Sequence, residues 1–201
     1  RTECRQYLTS SLRHELTRQV NDPCEALVLK DKVRFSEVFE DILGRRVMTF
    51  DEIKRQMHDP YSISINEVVI KPIKGQAGQG IIFPMQNFTS LRQLHDYVIS
   101  TVKKPDEYLY EERIIQHSAL NKLNPSSLNT LRIVTYNDES INKVDVWSVV
   151  LRIGIKACTD NFATGGIAAL VDHRGVVCQP AIIKHPSGER FHIHPVSGEK
   201  I

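Results

Sequence analysis

Residues 67–83, EVVIKPIKGQAGQGIIF, hold two short apolar runs with a glycine-rich loop between them. Val68, Val69 and Ile70 form a β-branched run that ends on Lys71-Pro72, and a second run spans Ile81 to Phe83. Apolar runs bounded by Gly and Pro predict two strands joined by a hairpin-like loop. Gly75, Gly78 and Gly80 carry no Cβ, so N–H groups there can approach an anionic oxygen closely. Lys71, at the strand end, is a point charge suited to phosphate. A flexible hairpin with a surface lysine is the plainer reading of the same residues, because isolated glycine patterns are weakly specific. The loop is not a mononucleotide P-loop, since GxxxxGK[ST] is absent and the lysine precedes the glycines. Nor does a helix begin at the last glycine, as a dinucleotide fingerprint requires.

Upstream of this stretch the chain reads as helices. Leu8, Leu12, Leu16 and Val20 recur every four residues, which predicts an amphipathic helix over 3–20 that Asn21-Asp22-Pro23 ends. After a short apolar run, Ala26 to Leu29, Phe35, Val38, Phe39 and Ile42 fall at i, i+3, i+4 and i+7 of a second helix, with Gly44 as its terminator. Lys32 opens that helix, where positive charge is unfavourable to the dipole, so a solvated lysine is the plainer reading. Thr49 and Asp51 are candidate caps for a short helix to His58.

Downstream, Ser90 and Gln93 make a capping box, and Leu91, Leu94, Val98 and Val102 give the following helix its buried face. Strands are predicted at 108–115, 129–136, 143–154, 166–171 and 176–179. Asn124-Pro125-Ser126-Ser127, Asn137-Asp138-Glu139-Ser140 and Asp172-His173-Arg174-Gly175 are the intervening turns.

The 201 residues are 41% hydrophobic and 25% charged, an ordinary globular composition that fits one or two compact lobes. A formal charge of +2 gives no argument for nucleic acid or an anionic membrane as partner. No apolar run approaches the roughly 18 residues of a membrane span, and no signal peptide is visible, which predicts a cytoplasmic protein. Cys4, Cys24, Cys158 and Cys178 lie far apart with no CxxC pair and read as reduced, partly buried thiols.

Several polar residues sit where chemistry is possible. Glu111-Glu112, at the end of a strand and before apolar Ile114-Ile115, suit the hydroxyl and amino groups of a nucleoside, or are solvated edge charges. Arg132 lies inside a strand and Arg152 near the end of the next; each either pairs with a carboxylate or presents a planar fork to phosphate. Asn161, in the polar loop DNFATGG, suits an oxyanion or a metal-bound oxygen, or simply shapes a turn. His185, His192 and His194 lack a matching Cys pair or HExxH, so strand-like alternation explains them better than zinc.

Taken in series, KDKVRFSEVF, VVIKPIKGQAGQGI, YLYEERIIQH, LNTLRIVTY, DNFATGGIAALVDHRG and HPVSG resemble the sugar-transfer-associated ATP-grasp family, in the family's order from about Asp31 to Gly198. The resemblance implies an α+β ATP-grasp fold whose two lobes grip Mg2+-ATP. A helical segment, 1–46, would precede a small lobe, 47–110, and a large lobe, 111–201. It implies that Lys32 and Lys71 reach the ATP phosphates, with Lys74 and the loop Gly75, Gly78 and Gly80 covering them. Glu111, Glu112, Ile114 and His117 would line the adenine and ribose pocket. Arg132, Arg152 and Asn161 would face the transferred phosphate and the acid substrate. The implied reaction is ligation: a small-molecule carboxylate becomes an acylphosphate and is passed to an amine or similar acceptor, in polysaccharide or sugar-conjugate synthesis. A non-catalytic ATP-binding module in such an assembly is the alternative. ATP-grasp enzymes usually hold magnesium with a late acidic residue and a Glu–x–Asn pair. That pattern is absent here, so the large lobe is expected to be incomplete and the metal ligands stay unassigned, with Asp145, Asp160 and Asp172 as fallbacks.

Overall fold

A computed structural model describes residues 10–58, 67–75, 79–156, 158–185 and 187–201. The chain forms two units, Arg1–Arg113 and Ile114–Ile201, each with its own antiparallel sheet. This mixed α+β construction fits the ATP-grasp expectation at the level of fold class. Among the described residues, no helix is long and apolar enough to cross a membrane.

The first unit opens with α1 (Ser10–Val20), whose stripe residues Leu12, Leu16 and Val20 are exposed; Leu8 lies outside the described residues. Asp22 then caps α2 (Pro23–Val28) by accepting from Cys24 and Glu25 N–H, so the short apolar run is helical. The helix expected over Phe35 to Ile42 is broken in two, α3 (Lys32–Val38) and α4 (Glu40–Leu43), at Phe39 with φ −110° and ψ 19°. The break shifts the phase of the stripe: Val38 and Ile42 face solvent, while the rings of Phe35 and Phe39 pack tilted at 46° with centroids 4.8 Å apart. Gly44 ends α4 in the left-handed region, as expected.

A three-stranded sheet follows, in the order β1 (Val47–Thr49), β3 (Tyr108–Glu112), β2 (Val68–Pro72). Strand alternation sends Met48, Val68, Ile70 and Tyr110 to one face, where α5 (Phe50–Gln56) and α6 (Leu91–Thr101) close the core with Ile53, Leu91, Leu94 and Val98. Thr49 and Glu52 form a reciprocal capping box on α5. Ser90 caps α6 through Gln93 N–H, but the Gln93 amide reaches one residue further back, to Thr89 N–H and Oγ1. The second run of the opening stretch contributes a single antiparallel bridge, Ile70 to Ile82, rather than a strand.

The second unit is a five-stranded meander: β4 (Thr130–Asp138), β5 (Lys143–Ile153), β6 (Ile167–Val171), β7 (Ala181–Ile183) and β8 (Arg190–Phe191), with α7 (Ser118–Asn121) before it. Leu151, Ile153, Ile167, Ala169 and Ala181 form its core with Leu123. The strand expected at 176–179 is only a bridge from Val177 to Val171, because the Asp172 turn folds Val176 back on Asp172 N–H. The three described cysteines, Cys24, Cys158 and Cys178, are free but exposed rather than partly buried.

A buried polar cluster anchors this unit. His194 Nε2 meets the Gly154 carbonyl at 2.9 Å, while its Nδ1 accepts from Ser197 and Val196 N–H. Asn129 Oδ1 accepts from Gly154 N–H and Ser127 Oγ, and Asn124 donates to Ser127. The histidine is therefore a structural pin between the HPVSG turn and the end of β5, and not a ligand.

Candidate functional site

In the first unit the face of the sheet opposite the helices carries charge. Register places Val69 and Val47 on either side of Glu111, so Lys71 lies one diagonal step away on β2. The ladder continues beyond β1, with Glu112 N–H donating to the Arg46 carbonyl, which sets Arg45 on the opposite diagonal. Both diagonals are used. Glu111 Oε1 holds Lys71 Nζ at 2.6 Å and Oε2 holds Arg45 Nε at 3.1 Å. Glu111 is only 8% exposed, and a carboxylate so placed needs such partners to offset its desolvation.

Lys32 joins this cluster from the first turn of α3, where Asp31 caps the helix by accepting from Val33 and Arg34 N–H. Its Nζ donates to the carbonyls of Pro72, Ile73 and Gly75 at 2.6, 3.1 and 3.1 Å. Burial, then the neighbouring Lys71, hold Lys32 below the ordinary lysine range, against a smaller pull upward from Glu111. The expected solvated lysine is thus a bonded one. Gly75 (φ 141°) and Gly80 (φ 71°) occupy backbone that side chains avoid, and a Cβ on Gly80 would lie 2.9 Å from Pro72 Cγ. Lys74 is exposed beside them, and Gly78 lies outside the described residues. The cluster sets three positive charges and a glycine loop against one carboxylate; Lys32 spends its donors on the loop carbonyls, while Lys71 and Arg45 keep N–H donors that fit a polyphosphate.

Of the residues expected at the adenine pocket, Glu111 is engaged by its two cations, and Glu112 Oε2 accepts from Arg46 N–H. Ile114 is exposed, and His117 caps α7 by accepting from Ala119 N–H. Beside Arg45, between α3–α4 and β1–α5, runs a groove of about 360 Å³ whose walls include Val33, Glu37, Arg46, Val47 and Leu109.

In the second unit Arg152 stands opposite Thr130, and Arg132 opposite Val150, so both guanidinium groups share the face of the sheet away from Leu151 and Ile153. Arg152 Nη2 donates to Asp160 Oδ1 at 2.9 Å, and Thr130 Oγ1 donates to Asp160 Oδ2. Asp160 is held by a tight loop: Asn161 caps a 3-10 turn through Ala163 N–H, and a Cβ on Gly166 would lie 2.8 Å from the Asp160 carbonyl. The Arg152 Nε is buried with no partner among the described residues, an orphan donor that an anion would satisfy. Arg132 is exposed and has no polar partner among the described residues. Sequence reasoning missed Arg45, and missed Asp160 and Thr130 as partners of Arg152.

A magnesium site is less well provided. Among the described residues no group of three or more His, Cys, Asp or Glu side chains is placed to hold a metal ion. Asp145 pairs with Lys143, Asp160 is engaged as above, and Asp172 is committed to its own turn, where Val176 N–H chiefly keeps its carboxyl below the usual range. These three carboxylates do not fit a Mg2+ site.

No curated protein and no solved structure matches the chain. The profile of the sugar-transfer associated ATP-grasp proteins matches residues 11–201, which takes in the second unit and the first from residue 11 onward. ATP-grasp domains bind ATP and typically Mg2+. The chain belongs to the sugar-transfer associated ATP-grasp family, whose role is ATP-dependent, ligase-like and tied to sugar-related processes.

Proposed function

We propose that the protein activates a small-molecule carboxylate with ATP and passes it to an amine or similar nucleophile, in the synthesis of cell-surface polysaccharide or sugar conjugates. The observation that carries this reading is the cluster of Lys32, Lys71 and Arg45 around Glu111 at the start of the glycine loop. When bound, ATP supplies the γ-phosphoryl group that turns the acid into an acylphosphate. Lys71 and Arg45, aimed by Glu111, would hold the phosphates, with Lys74 and the N–H groups of Gly75 and Gly80 beside them. Glu112, Ile114 and His117 border the nucleoside. Arg152, aimed by Asp160, and Arg132 offer guanidinium forks to the transferred phosphoryl and to the acid, with Asn161 as a neutral donor. Such a site works by positioning and charge stabilisation and needs no protein nucleophile.

One observation favours a second reading, an ATP-binding module without turnover: Asp145, Asp160 and Asp172 are all engaged within the protein. Calorimetric titration of ATP into the parent and Lys71→Met, followed by ADP release across a panel of acids, separates the readings. We expect ATP binding that weakens in Lys71→Met with the protein still folded at the temperature of the titration, and ADP release that depends on an acid. Equal affinity in both proteins removes Lys71 from the site; binding with no acid-dependent ADP release selects the module.

A further inference from the structure

The family resemblance makes Lys32 a phosphate contact, yet all three of its ammonium hydrogens have acceptors inside the protein: the carbonyls of Pro72, Ile73 and Gly75. Lys71, by contrast, has Glu111 as its partner, which leaves two hydrogens for an anion. Three carbonyl oxygens turned toward one point repel one another unless a cation lies between them. Lys32 is at the N-terminus of α3, where the helix dipole disfavours a cation, so the three carbonyl dipoles are what offsets that cost. Pro72 also supports the far end of the loop, since Gly80 packs so closely on its ring that a Cβ has no room. Whatever fixes the Pro72 peptide therefore fixes both ends of the glycine loop.

We infer that Lys32 is a positioning residue, an internal ammonium ion that gathers the carbonyls of Pro72, Ile73 and Gly75 and so sets the glycine loop in place. Its role in nucleotide binding rests on the phosphate-loop reading above, whereas its grip on the carbonyls is testable without nucleotide. In nucleotide-free Lys32→Ala, amide hydrogen exchange at Ile73, which donates to the Glu107 carbonyl, rises by about tenfold or more, while Ile70 and Leu94 are unchanged. Methylammonium chloride restores the protection and tetramethylammonium, which has no N–H, does not. ATP affinity falls in the variant and recovers in parallel with the protection.

Unchanged exchange at Ile73 with a loss of ATP affinity would overturn the inference and return Lys32 to the phosphates. Exchange that rises but ignores methylammonium would overturn it as well. Should Lys32→Ala not fold, the 15N ammonium resonance of Lys32 in the parent decides. Slow hydrogen exchange with couplings to the three carbonyls supports the grip, and rapid averaging like that of a solvated lysine refutes it. A parent that binds no ATP would end the functional reading of the site, while the exchange and rescue results would still decide the role of Lys32.

Discussion

The ion pair between Lys71 and Glu111 can be weighed by a double-mutant cycle of Glu111→Gln and Lys71→Met. Their side chains are 10% and 22% exposed. That places the pair between open surface, where such pairs contribute about 0–1 kcal/mol, and the deep interior, where removing one partner costs about 3–5 kcal/mol. Glu111 accepts from two cations, and a hydrogen bond to a charged group contributes about 1.5–3 kcal/mol. Glu111→Gln should therefore lower the unfolding free energy of the first unit by about 3 kcal/mol, the amide keeping part of one bond and water reaching Lys71. Lys71→Met should cost less, about 1–2 kcal/mol, because Glu111 keeps Arg45 and the apolar stem is preserved. The cycle should then return a coupling of about 1–2 kcal/mol. Urea unfolding followed by circular dichroism measures it, with amide exchange at Ile70 and Tyr110 reporting the first unit alone. A coupling below about 0.5 kcal/mol would refute the argument, since it would make the pair an ordinary solvated one.

Three further outcomes are expected. Arg152→Lys keeps the charge but loses the fork and the orphan Nε, so acid-dependent ADP release should fall about ten- to hundredfold, the rate equivalent of one charge-assisted bond of about 1.5–3 kcal/mol; near-parent turnover would make the arginine structural. Gly154→Ala drives a Cβ onto Ser127 Oγ and to 2.8 Å from Asn124 Nδ2, and should cost about 2–3 kcal/mol. Gly175→Ala, with open space but φ +81°, should cost only about 1–2 kcal/mol, so urea midpoints in the reverse order would contradict the packing argument. Burial first, then the charges of Asp106 and Tyr108, push the Tyr110 hydroxyl far above its ordinary 10.0. The unfolded chain thus ionises this tyrosine first, and the stability it contributes is complete below pH 10.0 and lost as pH rises beyond it. Ultraviolet titration should show one tyrosine that ionises only on unfolding, and Tyr110→Phe should abolish that delayed step.

Local signals in the sequence carried well where a single element determined the outcome. The caps at Thr49 and Ser90, the apolar face of α6 and the terminator Gly44 are each set within one helical turn, and the structure has them. Periodicity failed at Phe39, where two short helices replace one, because stripe positions do not say whether the backbone between them stays helical. Strands β7 and β8, of three and two residues, are too short to show alternation at all. The lysines and the glycine loop were visible as chemistry, but their partners were not. Arg45 meets Glu111 across 66 positions and only through the pairing of β1 with β3, so an adjacent-residue reading of GRR could not single it out.

The bond from His194 to the Gly154 carbonyl spans 40 positions, and it closes the second unit near its last residues. A chain emerging from a ribosome must therefore carry β4 and β5 paired but unpinned while the next forty residues are added. Throughout that interval the Gly154 carbonyl lacks the imidazole it meets in the folded chain, although Asn129 already accepts from Ser127 and from Gly154 N–H. Contacts of such separation raise contact order and delay folding. They also leave strand edges open to other chains until the contact forms, which exposes this unit to aggregation during synthesis.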